Sequence, residues 1–151
     1  MRQMPCAVLL SIVAALICAG CADITWDQDV DRAEQRAKAE KKVLFVYYWR
    51  MLDNDSNRTY ADVLRQPEVA RLFQNTVNAQ VCYDVKAHRL YMGRHGVEQA
   101  PAFLIKRPDG SFDRHVGYMT RDAFLGWAEA AMKGTTERPA KPPPITPQKA
   151  P

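Results

Sequence analysis

The sequence predicts an α/β domain with a mixed central sheet of about four strands flanked by helices. Three observations lead there. Two apolar runs, Val43-Leu44-Phe45-Val46-Tyr47-Tyr48 and Ala102-Phe103-Leu104-Ile105, are too short for helices and rich in β-branched and aromatic residues. Segments with apolar residues at helical spacing alternate with such runs. A turn signal, Pro108-Asp109-Gly110, separates the last two strand-like runs, as an antiparallel hairpin requires.

From Asp27 the chain reads as a helix, with Val30, Ala33 and Ala37 at helical spacing and charged residues between them. Its thin apolar stripe packs on one side only, and Lys41-Lys42 suits the negative end of the helix dipole. Residues 43–48 form the central strand, apolar enough to be buried on both faces. The polar stretch Asp53-Asn54-Asp55-Ser56-Asn57 reads as a loop, with Asn57 or Thr59 capping a helix that carries Tyr60, Val63 and Leu64. Pro67 opens a further helical stretch in which Val69, Leu72 and Phe73 share a face. Residues 77–83 read as the second strand, and residues 86–95 as a short helix ended by Gly96. The strands at 102–106 and 111–116 pair across the turn. Thr120 caps a last helix with Ala123, Phe124, Trp127, Ala128 and Ala131 on one face, and Gly134 stops it.

The 151 residues carry a formal net charge of +4. Acidic and basic residues are interspersed, so nucleic acid is not an expected partner. The amino-terminal segment differs in kind: Arg2, then residues 7–17 without a charge. That apolar run is shorter than the roughly 17–25 residues of a bilayer-spanning helix, and small residues follow it where a signal peptidase cuts. It leads into Cys18-Ala19-Gly20-Cys21, which has two readings. A redox CxxC follows a core strand and opens a helix, but no folded domain precedes this pair. Ala19-Gly20-Cys21 resembles a bacterial lipoprotein signal, departing from the pattern at Cys18, where Leu is usual. The resemblance implies cleavage before Cys21 and a fatty acid on its thiol. Ordinary cleavage after Ala22 is the alternative and would release a soluble secreted protein.

The lipoprotein reading divides the chain into a signal peptide at 1–20, a lipid-anchored linker at 21–25, a folded domain at 26–133 and a tail at 134–151. Loss of the signal removes Arg2, and the chain of about 130 residues that remains suits one domain with a real core. Six of the 10 prolines fall in the tail. It therefore reads as a disordered spacer with polyproline II character, or as a Pro-rich ligand that makes the domain a mere spacer. Of the 4 cysteines, Cys6 and Cys18 leave with the signal and Cys21 is acylated. Cys82 is then the only free thiol, no internal disulfide can form, and Cys82 on its strand is expected to be packed and inert.

The element order, with residues 45–49 leading into a loop, Gly96-Val97 before Ala100-Pro101, and Pro108-Asp109-Gly110 in the last hairpin, resembles the thioredoxin fold. Ile24 to Trp26 followed by an Ala- and Lys-rich helix resembles the exported subgroup that handles envelope thiols. The resemblance covers residues 26–133 and implies a Trp-Cys-x-x-Cys motif after the central strand and a cis-proline at Pro101. The corresponding run here is Trp49-Arg50-Met51-Leu52-Asp53. In the simplest register Arg50 and Asp53 stand where the family has cysteines, and neither can attack or resolve a disulfide. The resemblance also implies a shallow polypeptide groove at Trp49, Arg50, Asp53, Ala100 and Pro101, fringed by Tyr47, Tyr48 and Tyr60.

Other constellations are weaker. Asp53-x-Asp55-x-Asn57 has the start of an EF-hand loop, but Arg58 stands where Gly is needed and Leu64 where the closing Glu should be. His88 and His95 are too far apart to share a helix face as metal ligands do at i, i+4. No G-x-S-x-G, H-E-x-x-H, P-loop or dinucleotide fingerprint occurs in the sequence, and no cofactor or metal is expected. The expectation is a redox-inactive binding or scaffolding domain of the bacterial envelope, lipid-anchored to a membrane and facing the periplasm or exterior, with an envelope polypeptide as partner. The alternative is a monothiol or peroxide-reactive protein that uses Cys82.

Overall fold

The computed structural model describes residues 23–135. The signal segment, Cys18, Cys21 and the tail from residue 136 lie outside the described residues. The elements are α1 (Val30–Glu40), β1 (Leu44–Trp49), α2 (Asn54–Thr59), a π-helical turn (Tyr60–Leu64), α3 (Pro67–Leu72), β2 (Val77–Cys82), α4 (Lys86–Arg94), β3 (Ala102–Lys106), β4 (Phe112–Val116) and α5 (Arg121–Lys133). The four strands form one mixed sheet in the order β2-β1-β3-β4. β1 runs parallel to β2, from Leu44 opposite Val77 to Trp49 opposite Cys82. It runs antiparallel to β3, and β3 antiparallel to β4, so the expected hairpin is present.

Alternate β1 side chains enter opposite layers, as the pleat dictates. Leu44, Val46 and Tyr48 pack with Val30, Ala33 and Ala37 of α1 and with Tyr91 and Met92 of α4. Phe45 and Tyr47 point the other way, toward Val63, Val69, Phe73 and Phe124. Burial on both faces is why this strand reads as an unbroken apolar run. The second layer is aromatic: Phe45 stacks on Phe73 with centroids 4.0 Å apart, and Phe103 meets Phe124 at 4.8 Å. Ile24, at the edge of the linker inferred from sequence, is buried in this same layer. Among the described residues no helix is long and apolar enough to cross a membrane.

Several boundaries differ from the sequence reading, each for a physical reason. The first helix starts at Val30, not Asp27, because Asp27 is bonded to β2: its N–H donates to Asn78 O and its carbonyl accepts from Gln80 N–H. Asp29 takes the cap instead, accepting the Arg32 N–H at 3.0 Å. The polar stretch from Asp53 is not a loop. Asp53 is the N-cap of α2, accepting the Ser56 N–H at 2.7 Å, so neither Asn57 nor Thr59 starts that helix. β2 ends at Cys82 and β4 begins at Phe112, each one residue inside the reading. Ala123 is on the exposed side of α5, whereas Phe124, Ala128 and Ala131 are buried.

Candidate functional site

At the carboxyl ends of β1 and β2 the chain turns through Arg50, Met51 and Leu52 into α2. Two bonds fix this turn from outside its own backbone: Arg50 N–H donates to Ser56 Oγ at 3.1 Å, and Met51 N–H to Asp84 Oδ2 at 3.1 Å. Leu52 has φ +57° and is 91 % exposed, and Met51 beside it is 59 % exposed. A left-handed leucine is sterically costly, so the turn holds an apolar side chain in water at the expense of local strain. Below it, Ser56 is buried and its carbonyl accepts the Tyr47 hydroxyl at 2.8 Å. Burial pushes the Tyr47 phenol far up, which keeps it a proton donor.

The flanks of the turn come from β2 and β3. The Ala100-Pro101 bond is cis, Pro101 is buried, and Pro101 O accepts the Gly117 N–H at 2.8 Å. Tyr48 pairs with Ala102, so the register brings the Pro101 segment beside Trp49 on one side while Cys82 pairs with Trp49 on the other. The groove residues Trp49, Arg50, Asp53, Ala100 and Pro101 are thus gathered at one end of the sheet. Arg50 lies over the Tyr83 ring at 5.0 Å, and Arg89 reaches the same ring at 5.5 Å. A recess of about 260 Å³ beside the turn is lined by Tyr47, Trp49, Ser56, Asn57, Tyr60 and Gln80.

Cys82 departs from expectation. It is half-buried at the last position of β2, outside the packed core, because the strand ends there and the chain turns toward α4. Its Sγ is 3.5 Å from Asp84 Oδ2, and its N–H donates to His88 Nδ1 at 2.9 Å. His95 serves a different element, buried with Nδ1 2.9 Å from Tyr91 O. Asp53, Asp55 and Asn57 lie at the cap and within α2, so their alternation is helical and not that of a cation loop.

The cap fixes where the helix opens. A dithiol that exploits a helix dipole has its first sulfur where the helix opens. In this chain the helix opens at Asp53, and the residue three further on is Ser56. Arg50 lies three residues before the cap and belongs to the preceding turn. Asp53 and Ser56 lie at the mouth of α2, and Trp49 is the last residue of β1. Asp53, a residue type favoured at N-caps, was the available signal for where the helix opens. Asp84, which fixes the turn from the far side of β2, had none.

Solved structures share this order of helices and strands. A thioredoxin from Thermus thermophilus matches with a TM-score of 0.62 at 24% identity, covering 71% of this chain and 85% of its own. The oxidised DsbD C-terminal domain of Neisseria meningitidis matches with a TM-score of 0.60 at 18% identity, covering 71% of this chain and 99% of its own. The fold is thioredoxin-like. The DsbH oxidoreductase shares the same thioredoxin-like fold with a TM-score of 0.59 at 13% identity, covering 74% of this chain and 86% of its own. No family model matches the chain, and no curated protein does.

Proposed function

We propose that this is a thioredoxin-like binding domain of the bacterial envelope, tethered by a lipid on Cys21, that engages a polypeptide without exchanging disulfides. The observation that carries the reading is the mouth of α2, which has a carboxylate and a hydroxyl, Asp53 and Ser56, and no thiol. Disulfide exchange needs a thiolate to attack and a second thiol to resolve the mixed disulfide, and Asp and Ser supply neither. The exposed Met51 and Leu52 beside the Pro101 segment give the same end of the fold an apolar contact surface. A purified chain that turns over a model disulfide no faster than a control lacking Cys82 fits this reading. Turnover at the rate of an active thioredoxin would overturn it. A photo-crosslinking residue at Leu52 should capture one protein in cells, and capture that survives an added Met51→Asp would show that the turn is not the contact.

A second reading rests on the position of Cys82, whose thiol is half-buried at the same end of the sheet. It predicts labelling of native Cys82 by a thiol reagent at neutral pH. Labelling only after denaturation eliminates it.

A further inference from the structure

The recess of about 260 Å³ at the Trp49 end of β1 has no charged side chain in its lining. Tyr47, Trp49 and Tyr60 supply its aromatic surface, and Ser56, Asn57 and Gln80 its polar groups. Two of these are already engaged: the Tyr47 hydroxyl donates to Ser56 O, and Ser56 Oγ accepts the Arg50 N–H. Among the described residues the Trp49 indole, the Tyr60 hydroxyl and the Asn57 and Gln80 amides have no hydrogen-bond partner. Core packing explains Tyr47, which is buried, but not Tyr60, which is 44 % exposed. Tyr60 opens the π-helical turn, a rare distortion concentrated at functional sites.

Uncharged aromatic walls with spare N–H and O–H donors suit one kind of ligand above others. A polyproline II chain makes no hydrogen bonds within itself, so its carbonyls are free acceptors, and its rings pack on Trp and Tyr. A helix has already used those carbonyls. A charged ligand would find no counter-charge in the lining.

The chain carries such a segment itself. Proline recurs at an interval of three in Pro139-x-x-Pro142 and in Pro144-x-x-Pro147, which puts each pair on one side of the three-residue polyproline II turn. Reach selects between them. The tail leaves α5 at Gly134, which packs against Arg107, next to the Lys106 that pairs with Leu44. That is the opposite end of β1 from Trp49, about 20 Å away over six residues. Phe124, Ala128 and Ala131 of α5 lie in the same layer as Tyr47, so the tail starts on the side of the sheet where the recess opens. Pro142 is seven residues beyond Thr135 and Pro144 nine, which carry the chain about 22 Å and about 28 Å at the polyproline II rise. Only the later pair has slack for a path over the surface. A link of this length also gives an effective concentration on the order of millimolar, enough for a contact that a free peptide makes weakly.

We propose that Pro144-Ile145-Thr146-Pro147 docks as polyproline II in the recess of its own chain, its rings against Trp49 and Tyr60 and its carbonyls accepting from the Asn57 and Gln80 amides. The contact depends neither on a lipid at Cys21 nor on a partner at Met51 and Leu52. The tail is then a built-in competitor for any extended polypeptide that enters the recess from outside.

Paramagnetic NMR on residues 21–151, with Cys21→Ser, Cys82→Ser and a nitroxide on Ala150→Cys, tests this. The Trp49 indole and Gln80 side-chain amide signals should be lost to broadening, and reduction of the nitroxide should bring them back. Pro144→Ala with Pro147→Ala should keep both signals beside the active nitroxide, and so should Tyr60→Ala. Pro139→Ala should leave the broadening as it was. Signals that persist with the unaltered tail overturn the docking. So does broadening that survives the Pro144 and Pro147 changes, or that Pro139→Ala abolishes equally. A mixture of isotope-labelled chains without nitroxide and unlabelled chains with it reads the source of the tail. Broadening in that mixture would put a second copy's tail in the recess and overturn docking within one chain.

Discussion

Gly96 has φ +69°, and a Cβ added there would run into the Arg114 guanidinium, which donates to His95 O. Gly96→Ala should therefore cost about 1–2 kcal/mol in urea unfolding, from left-handed strain together with a disturbed hydrogen bond. In an Arg114→Ala background only the strain should remain, so the two changes should be non-additive. Leu52 presents the opposite case. It too is left-handed, but its side chain is in solvent, so Leu52→Gly should relieve strain and raise stability by about 0.5–1 kcal/mol. If Leu52→Gly is neutral or destabilising, the turn is held by contacts of the leucine itself. Asp27 and His115 tie residues to pH. The Arg32 side chain, chiefly by its hydrogen bond, lowers the pKa of the buried Asp27 below 3.8, with the Asp29 N–H and Arg36 acting in the same direction. Burial lowers His115 below 6.5. In both cases the unfolded chain takes up a proton more readily than the folded one, so stability falls as pH falls. The His115 contribution is complete above pH 6.5 and is lost on descending from there, and the Asp27 contribution is lost only below about pH 4. The urea midpoint should fall in these two stages, and His115→Gln should remove the first while leaving the second.

α2 is the element where sequence and structure diverge most, and its physics explains why. Asn54, Asp55, Ser56 and Asn57 are poor helix formers that favour turns, and a local reading gives a loop. The helix exists because Asp53 caps it and because Tyr47 of β1, nine residues before Ser56, holds Ser56 from beneath. The second cause is a tertiary contact and leaves no local pattern. β3 and α5 were legible because their limits are written locally: the apolar run 102–106 lies between two prolines, and α5 between a threonine cap and a left-handed glycine. The shared end of Trp49, Arg50, Asp53 and Pro101 was legible through resemblance, whereas the exposure of Cys82 depended on where β2 stops, a matter of one residue. The register of the site has a direct test. Asp53→Cys with Ser56→Cys places two thiols at the cap and first turn of α2, a spacing from which a disulfide can close, and should confer measurable disulfide reduction. Arg50→Cys with Asp53→Cys should not. Activity in the second pair and not the first would return the site to the simpler register.

At the scale of the whole molecule, the sheet separates two chemistries. One end of the strands has the strained turn, the aromatic recess and a half-buried thiol. The other has lysines and both chain ends. Nothing in the thioredoxin-like fold requires the ends to be charged, yet the fold does determine that a strand-end turn and the first residues before α1 lie at opposite extremes of β1. With Asp23 to Thr25 and Gly134 at a common extreme, the domain also has the geometry of a cassette. Inserted into a surface loop of a host protein through these two ends, it should fold as an outgrowth, displaying Leu52 at its tip and leaving the host's own fold unthreaded.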